Sequence, residues 1–374
     1  MTTLNRRALL EAGLCLGVAT LAPRIGIGAD AASTAAPSGA GDLASRSAAT
    51  VDPLAAVAPE LRPPLQEMLK RPIPTDINAG NLAARRALKF APPQKPAETP
   101  GFERRLIPGG KSAPEVPVYI INAQPRGSKK PALLHIHGGG FILGDAESQI
   151  PRLQIVARDQ DCVVVTVDYR LSPEVAFPGA LEDNYAALRW LHGAAQELGV
   201  DPDRIAVMGE SAGGGHAAML AIAARDRGEF PLAAQILIYP MLDDRTGSSR
   251  AVPAHIGQFI WTRGSNRFGW SSLLGTPAGS LRVPAGSVPA RTASLAGLPP
   301  TFIGVGSIDL FVEEDMQFAQ RLVIAGVPTE LLVIPGAYHG FDLIVPDAPQ
   351  SRFFREAWSG ALRRAFASRP PIPG

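Results

Sequence analysis

Two cysteines in 374 residues, Cys15 and Cys162, cannot build a disulfide framework, and no cluster of cysteine and histidine has the spacing of a zinc site. Charge is sparse and balanced, at 19% charged residues and a formal net charge of +2. The basic stripe that nucleic acid requires is missing, so no nucleic-acid partner is expected. Away from the N-terminus no uncharged apolar run approaches the roughly 18 residues that span a bilayer, and stable membrane insertion is not expected either. What the chain does have is 46% hydrophobic residues, enough for a large packed core, with 38 glycines and 36 prolines. That is rich in turns yet below the roughly 25–30% share of these two residues that marks low-complexity disorder. Cys162, inside the run Asp161-Cys162-Val163-Val164-Val165-Thr166-Val167, reads as a small buried hydrophobe.

The first residues pair Arg6 with Arg7, continue into an apolar stretch broken by Glu11, and end at Ala29-Asp30-Ala31. A basic start, an apolar middle and an A-x-A site predict a twin-arginine-like signal peptide over 1–31. Export to the periplasm or beyond is the expectation, with a cytoplasmic location as the alternative. Residues 32–51 are Ala, Ser, Gly and Pro without periodicity and read as a flexible linker. Over 52–100, apolar positions at helical spacing (Leu61, Leu65, Met68, Leu69, then Leu82 and Leu88) predict two short helices separated by Pro72 and Pro74.

From 101 to 368 short β-branched runs alternate with helical stretches, the pattern of a mostly parallel sheet flanked by helices. Eight strands are predicted at 103–107, 116–122, 132–137, 162–167, 204–208, 234–239, 301–305 and 330–334. Helices are predicted at 149–160, 180–198, 212–227, 313–325 and 352–366. In such sheets the reacting groups gather at the carboxyl ends of the strands.

Directly after the fifth strand stands Gly209-Glu210-Ser211-Ala212-Gly213, a G-x-S-x-G sequence in the strand-turn-helix setting it needs. Side chains two residues either side of the serine would collide with backbone in so tight a turn, so glycine is required there. A serine hydroxyl needs a base to take its proton. Among His135, His137, His192, His216, His255 and His339, only the last lies in a loop at a strand's carboxyl end. The base in turn needs a carboxylate, and Asp309, after the seventh strand, completes the order Ser, Asp, His. Glu313, Glu314 and Asp315 are competitors, but they fall in the first turn of the next helix, where acids are favoured in any case. His137-Gly138-Gly139-Gly140 follows the third strand, and with the Ala212 amide it offers N–H donors for an oxyanion. The glycine spacing fits no phosphate-binding loop.

Together these residues resemble the hormone-sensitive-lipase-like esterases of the α/β-hydrolase fold. The resemblance spans roughly 54–366 and includes Asp168-Tyr169-Arg170-Leu171 with Pro173, Phe177-Pro178, Leu181-Glu182-Asp183, Asp309-Leu310 with Glu314, and His339-Gly340-Phe341. It implies a catalytic Ser211, Asp309 and His339, oxyanion donors at Gly139, Gly140 and Ala212, and a helical cap built from 52–100 and an insert at about 242–295. It also implies small esters of short to medium acyl chains as substrates. The chemistry needs no cofactor and no metal. Glu210 departs from the Asp or Thr usual in the family before the serine, and Gly215 from Asn. Other readings on the same fold are a non-catalytic small-molecule receptor, which retention of His339 disfavours, a serine amidase or peptidase, and a glycan deacetylase. The oligomeric state is open, a homodimer included.

Overall fold

The computed structural model describes residues 52–70, 76–88, 95–110 and 113–367. The expected signal peptide and linker lie outside them. All eight predicted strands form: β1 (Phe102–Ile107), β2 (Val116–Ile121), β3 (Lys130–Ile136), β4 (Val163–Val167), β5 (Val200–Glu210), β6 (Ala234–Ile238), β7 (Thr301–Gly306) and β8 (Thr329–Ile334). They make one sheet in the order β1-β2-β4-β3-β5-β6-β7-β8. β1 and β2 run antiparallel to each other, and β2 to β4, while every later pairing is parallel. β4, β6 and β7 are buried along their whole length. A sheet covered on both faces has no polar side, which is why these strands read as continuous apolar runs.

The helices among the described residues are α1 (Arg62–Leu69), α2 (Leu82–Ala87), α3 (Ile150–Asp159), α4 (Gly179–Gly193), α5 (Ala195–Leu198), α6 (Ala212–Arg227), α7 (Arg263–Leu274), α8 (Val312–Ile324), α9 (Phe341–Ile344) and α10 (Pro349–Ala367). Residues of α4 and α6 enter one apolar cluster, and those of α3 and α10 another, on the two faces of the sheet. α6 crosses under the middle of the sheet and is buried on nearly every side from Ala212 to Ile222. Alanine and glycine dominate it because a helix packed all round must approach its neighbours closely.

Two boundaries differ most from expectation. β5 starts at Val200, four residues before the predicted edge, and its pairing with β3 shifts register between Lys130 and Ala132. The shift accommodates Pro202, which has no amide to give the ladder. The helix expected over 180–198 breaks at Ala194, where φ and ψ are −89° and 3°, into α4 and α5. The insert between β6 and β7 holds α7, as the helical cap implied by the resemblance leads one to expect, although the dense glycine and proline of that region concealed its bounds.

The segment before β1 touches two places that matter for the site. Leu61 and Leu65 are fully buried. Ala58 N–H donates to the Gly336 carbonyl at 2.9 Å, and the Tyr338 hydroxyl to that of Leu61 at 3.3 Å. Farther on, Ile77 N–H donates to Ser265 Oγ at 2.9 Å, joining the segment to α7.

Candidate active site

β5 ends at Glu210, and the chain reverses on Ser211 with φ 57° and ψ −120° before α6 begins at Ala212. For a residue with a Cβ this backbone costs about 1–3 kcal/mol and persists only where the surroundings enforce it. They do so here: Ser211 N–H donates to the Ile238 carbonyl at 2.8 Å, and its own carbonyl accepts from Gly215 and Met241, both at 3.0 Å. Glycine is obligatory at both flanks. A Cβ on Gly209 would lie 2.2 Å from the Gly213 oxygen, and one on Gly213 would lie 2.0 Å from that of Ile136.

Asp309 sits in the turn after β7. Its Oδ1 accepts from Phe311 N–H at 3.0 Å, and its Oδ2 lies 2.8 Å from His339 Nδ1. His339 Nε2 lies 2.9 Å from Ser211 Oγ. With Asp309 accepting from Nδ1, the lone pair faces the serine, the arrangement in which a hydroxyl can lose its proton to a ring. Asp309 is fully buried, while Ser211 and His339 are 7% and 6% exposed, open enough at the tip for a small molecule to reach. The His339 loop is pinned from below by Gly336 N–H on Ser307 Oγ at 2.8 Å. The ring itself is packed by Tyr239 and Phe311, with centroids at 4.9 and 5.2 Å and interplanar angles of 65° and 88°.

The His137–Gly140 loop lies beside this line: a Cβ on Gly138 would stand 3.5 Å from that of Ser211. Gly139 and Gly140 have φ of 128° and 62°, and the Gly139 carbonyl accepts from Ile142 and Leu143 to close the turn. The amides of Gly139 and Gly140 donate to no acceptor among the described residues, and that of Ala212 is the first of α6, where no intrahelical partner exists. All three are free to receive a negative oxygen. Trp261 of the insert covers Gly140 so closely that a Cβ there would meet its ring at 1.9 Å. The indole is fixed by Nε1–H donation to Asn266 Oδ1 at 3.1 Å, and Asn266 donates in turn to the Thr246 carbonyl at 2.8 Å.

His137 braces the loop. Its Nδ1 is 2.8 Å from the Gly138 carbonyl, and its ring stacks on Tyr169 at 4.2 Å, whose hydroxyl donates to the His137 carbonyl at 2.8 Å. Arg170 clasps Asp183 through Nη2 and Nε at 2.7 and 2.8 Å, so Asp183 holds this turn and does not merely decorate the N-terminus of α4. His216, one turn into α6, has neither ring nitrogen bonded. Burial drives its pKa down to about 3, which leaves it a neutral packing ring.

The acids after Asp309 differ from the dipole-favoured surface acids that their position suggested. Glu314 is buried and accepts from the amides of Leu242 and Asp243 at 2.7 and 3.1 Å, tying the start of the insert to α8. Asp315 is buried with no hydrogen-bond partner among the described residues. Burial, then the neighbouring Glu314 and Asp309, push its carboxyl well above the usual carboxylate range. Neither bonds to His339.

Glu210 points away from the serine. Its Oε2 is 3.0 Å from His135 Nε2, and its Oε1 is 2.7 Å from Arg152 Nη1, an ion pair outside hydrogen-bonding geometry. Burial opposes its charge, but Arg152 and His135 prevail and hold the carboxyl well below the usual carboxylate range. His135 Nδ1 closes the group at 2.9 Å from Thr166 Oγ1. Sequence reasoning gave Arg152 and Tyr239 no place at the site, since neither segment carries a motif of its own; Trp261 falls in the insert expected to form the cap, and Phe311 in the Asp309 segment, with no role expected for its ring. No group of three or more metal-binding side chains occurs among the described residues.

Residues 133–343 match the family described as alpha/beta hydrolase fold. Esterase LipI of Mycobacterium tuberculosis is 33% identical over 315 residues, covering 81% of this chain and 95% of that protein. An ethyl acetate hydrolase of Pseudomonas putida is 32% identical over 56% of this chain and 65% of its own. Among solved structures, a bacterial heroin esterase superposes with a TM-score of 0.73 at 34% identity, over 85% of this chain and all of that one.

Proposed function

The chain belongs to the hormone-sensitive-lipase-like esterases of the α/β-hydrolase family, and from that premise we propose that this serine carboxylesterase cleaves short to medium acyl esters through Ser211, His339 and Asp309. The observation that carries the reading is the unbroken line from Asp309 Oδ2 through both nitrogens of His339 to Ser211 Oγ, at 2.8 and 2.9 Å.

Ser211 Oγ attacks the ester carbonyl carbon as its proton passes to His339 Nε2, and the carbonyl oxygen becomes an oxyanion. The amides of Gly139, Gly140 and Ala212 receive that charge, each donor contributing about 3–4 kcal/mol if removed alone. Asp309 orients the ring and stabilises the imidazolium. On collapse the C–O bond breaks, and the alcohol leaves with the proton from Nε2. Water then enters, gives its proton to His339, and attacks the acyl carbon, releasing the carboxylic acid and restoring Ser211.

Trp261 over Gly140 supports a confined acyl side, and the ethyl acetate hydrolase among the relatives supports short chains. Residues 52–100 and the insert at about 242–295 act in this reading as a cap, and the paired Arg6 and Arg7 mark the chain for export.

A serine-reactive phosphonate followed by peptide mapping tests the reading. Modification at Ser211 that disappears in Ser211→Ala supports it; an active Ser211→Ala enzyme refutes it. Matched ester and amide substrates test the ester preference, and turnover of the amide at a similar rate would overturn it.

A further inference from the structure

We propose that Tyr239 and Asp342 form a positioning pair for His339, a second support for the imidazole that works through ring packing and touches neither ring nitrogen. The proposal rests on the reading of His339 as the base.

Asp309 fixes one nitrogen of His339, and the bond from the other to Ser211 is given up as the serine oxygen attacks, so hydrogen bonds alone leave the ring free to tilt about Nδ1. Tilt is limited by what the ring packs against, and Tyr239 supplies one of its two edge-to-face contacts. Phe311, the other, is set by its own backbone bond to Asp309. Tyr239 comes from a different part of the chain, just past β6, and has a strained φ of 35°. Three contacts hold it. Its N–H donates to the Gly304 carbonyl at 2.6 Å, its ring stacks on Phe354 with centroids at 6.2 Å, and its hydroxyl donates to Asp342 Oδ1 at 3.0 Å.

The last contact closes a loop in the structure. Asp342 stands at the start of α9, three residues beyond His339. The pair therefore ties the end of β6 to the segment that carries the base and clamps the ring between its own chain and its neighbour. Burial holds the Tyr239 hydroxyl protonated, so it remains the donor. Behind the pair, Asp342 lines a cavity of about 620 Å³ together with Arg152, Leu343, Pro346, Arg355 and Glu356. Beside the hydrogen bond from the neutral Tyr239, Arg152 and Glu210 are the charged groups that act on Asp342. Because its outer face meets this cavity, Asp342 can be replaced without opening a void in the core.

The test is a double-mutant cycle on ester hydrolysis by the full chain, read as kcat and KM separately, with His339→Ala measured alongside. Tyr239→Phe keeps the ring and removes only the hydroxyl; Asp342→Ala removes the acceptor. Each is expected to lower kcat by about three- to tenfold with KM within about twofold, the signature of a group that acts on the transition state alone. The double variant should be no slower than the slower single variant, since both remove one contact. Asp342→Asn, whose amide oxygen still accepts, should restore at least half of the wild-type kcat. Wild-type kcat in Tyr239→Phe and Asp342→Ala, additive losses in the double variant, or failure of Asp342→Asn to rescue would each overturn the proposal. If His339→Ala is inactive while those variants match the wild type, only the positioning role fails. An active His339→Ala would instead refute the reading of the base.

Discussion

Glu210 and Ser211 are neighbours in the chain and belong to two different polar regions. On the serine side, three side chains join through two hydrogen bonds, with the Asp309 carboxylate on His339 Nδ1 and Ser211 Oγ on His339 Nε2. On the glutamate side, Glu210, Arg152 and His135 are packed as opposite charges and buried ring, with Thr166 satisfying the last nitrogen. The first region leaves its terminal atoms reachable, and a backbone turn kept under strain points them outward. The second encloses its carboxylate, with Glu210 4% exposed and only Arg152 reaching solvent, and braces the strand from which that turn springs. In the proposed mechanism one peptide bond thus separates groups that exchange a proton from groups that hold theirs.

If this division is right, substitutions on the serine side abolish activity at little cost in stability. Ser211→Ala should lower kcat by about 10⁴-fold or more, as seen when a nucleophile of this kind is removed, with a melting temperature close to the wild type. Asp309→Asn leaves the geometry but favours the wrong tautomer, and a fall of about 10²–10⁴-fold in kcat is expected. Gly140→Ala, the exception in stability, should cost about 10²-fold in kcat and also lower the melting temperature, since at φ 62° its Cβ collides with Trp261 and one oxyanion donor moves.

Substitutions on the glutamate side should do the reverse. Glu210→Gln strands Arg152 and His135 and should destabilise the protein by about 2–3 kcal/mol at neutral pH, with kcat reduced less than tenfold. The figure is below the roughly 3–5 kcal/mol of a fully enclosed pair because Arg152 reaches solvent. Its pH dependence follows from the sign of the shift. Glu210 has a depressed pKa in the folded state, so its contribution is complete above the unfolded value of 4.5 and is lost as pH falls below it. Chemical denaturation at pH 7 and at pH 3 should therefore show the gap between wild type and Glu210→Gln narrowing at the lower pH; an unchanged gap would contradict the ion-pair account.

The smallest effect is expected at Asp315, which is the opposite case. Its raised pKa means that folding costs free energy as pH climbs above the ordinary carboxylate value of 3.8, because the folded chain holds a proton that the unfolded chain releases. Asp315→Asn should raise the melting temperature by a few degrees at pH 7 and less at pH 4.

Much of this architecture is legible in the residues. Strands buried on both faces, β4, β6 and β7, leave nearly uninterrupted apolar runs, while the mostly exposed β1 and the half-exposed β8 are legible from their place in the strand-helix alternation. The nucleophile turn does too, because its sterics admit only glycine at 209 and 213. His339 and Asp309 follow from chain order and from their places after β8 and β7. What stays hidden is what long-range packing decides. Nothing near Arg152 marks it as the partner of Glu210, nothing near Tyr239 marks it as a neighbour of His339, and Asp342, three residues beyond His339, carries no sign that it pairs with Tyr239. The insert helix α7 lies in a stretch whose turn residues mask its periodicity. Glu314 carries a first-turn signal like any surface acid, and only its burial shows that it holds the insert to the core.

The central claim is that Ser211 becomes covalently acylated during turnover. Rapid acid quench of the enzyme with an activated short-chain ester, followed by intact-mass and peptide analysis, measures this directly. The account predicts one acyl group per chain, on the peptide containing Ser211, absent in Ser211→Ala and accumulating more slowly in Asp309→Asn. An enzyme that turns over the ester with no acyl group on Ser211, or a Ser211→Ala variant that keeps wild-type turnover, would contradict it.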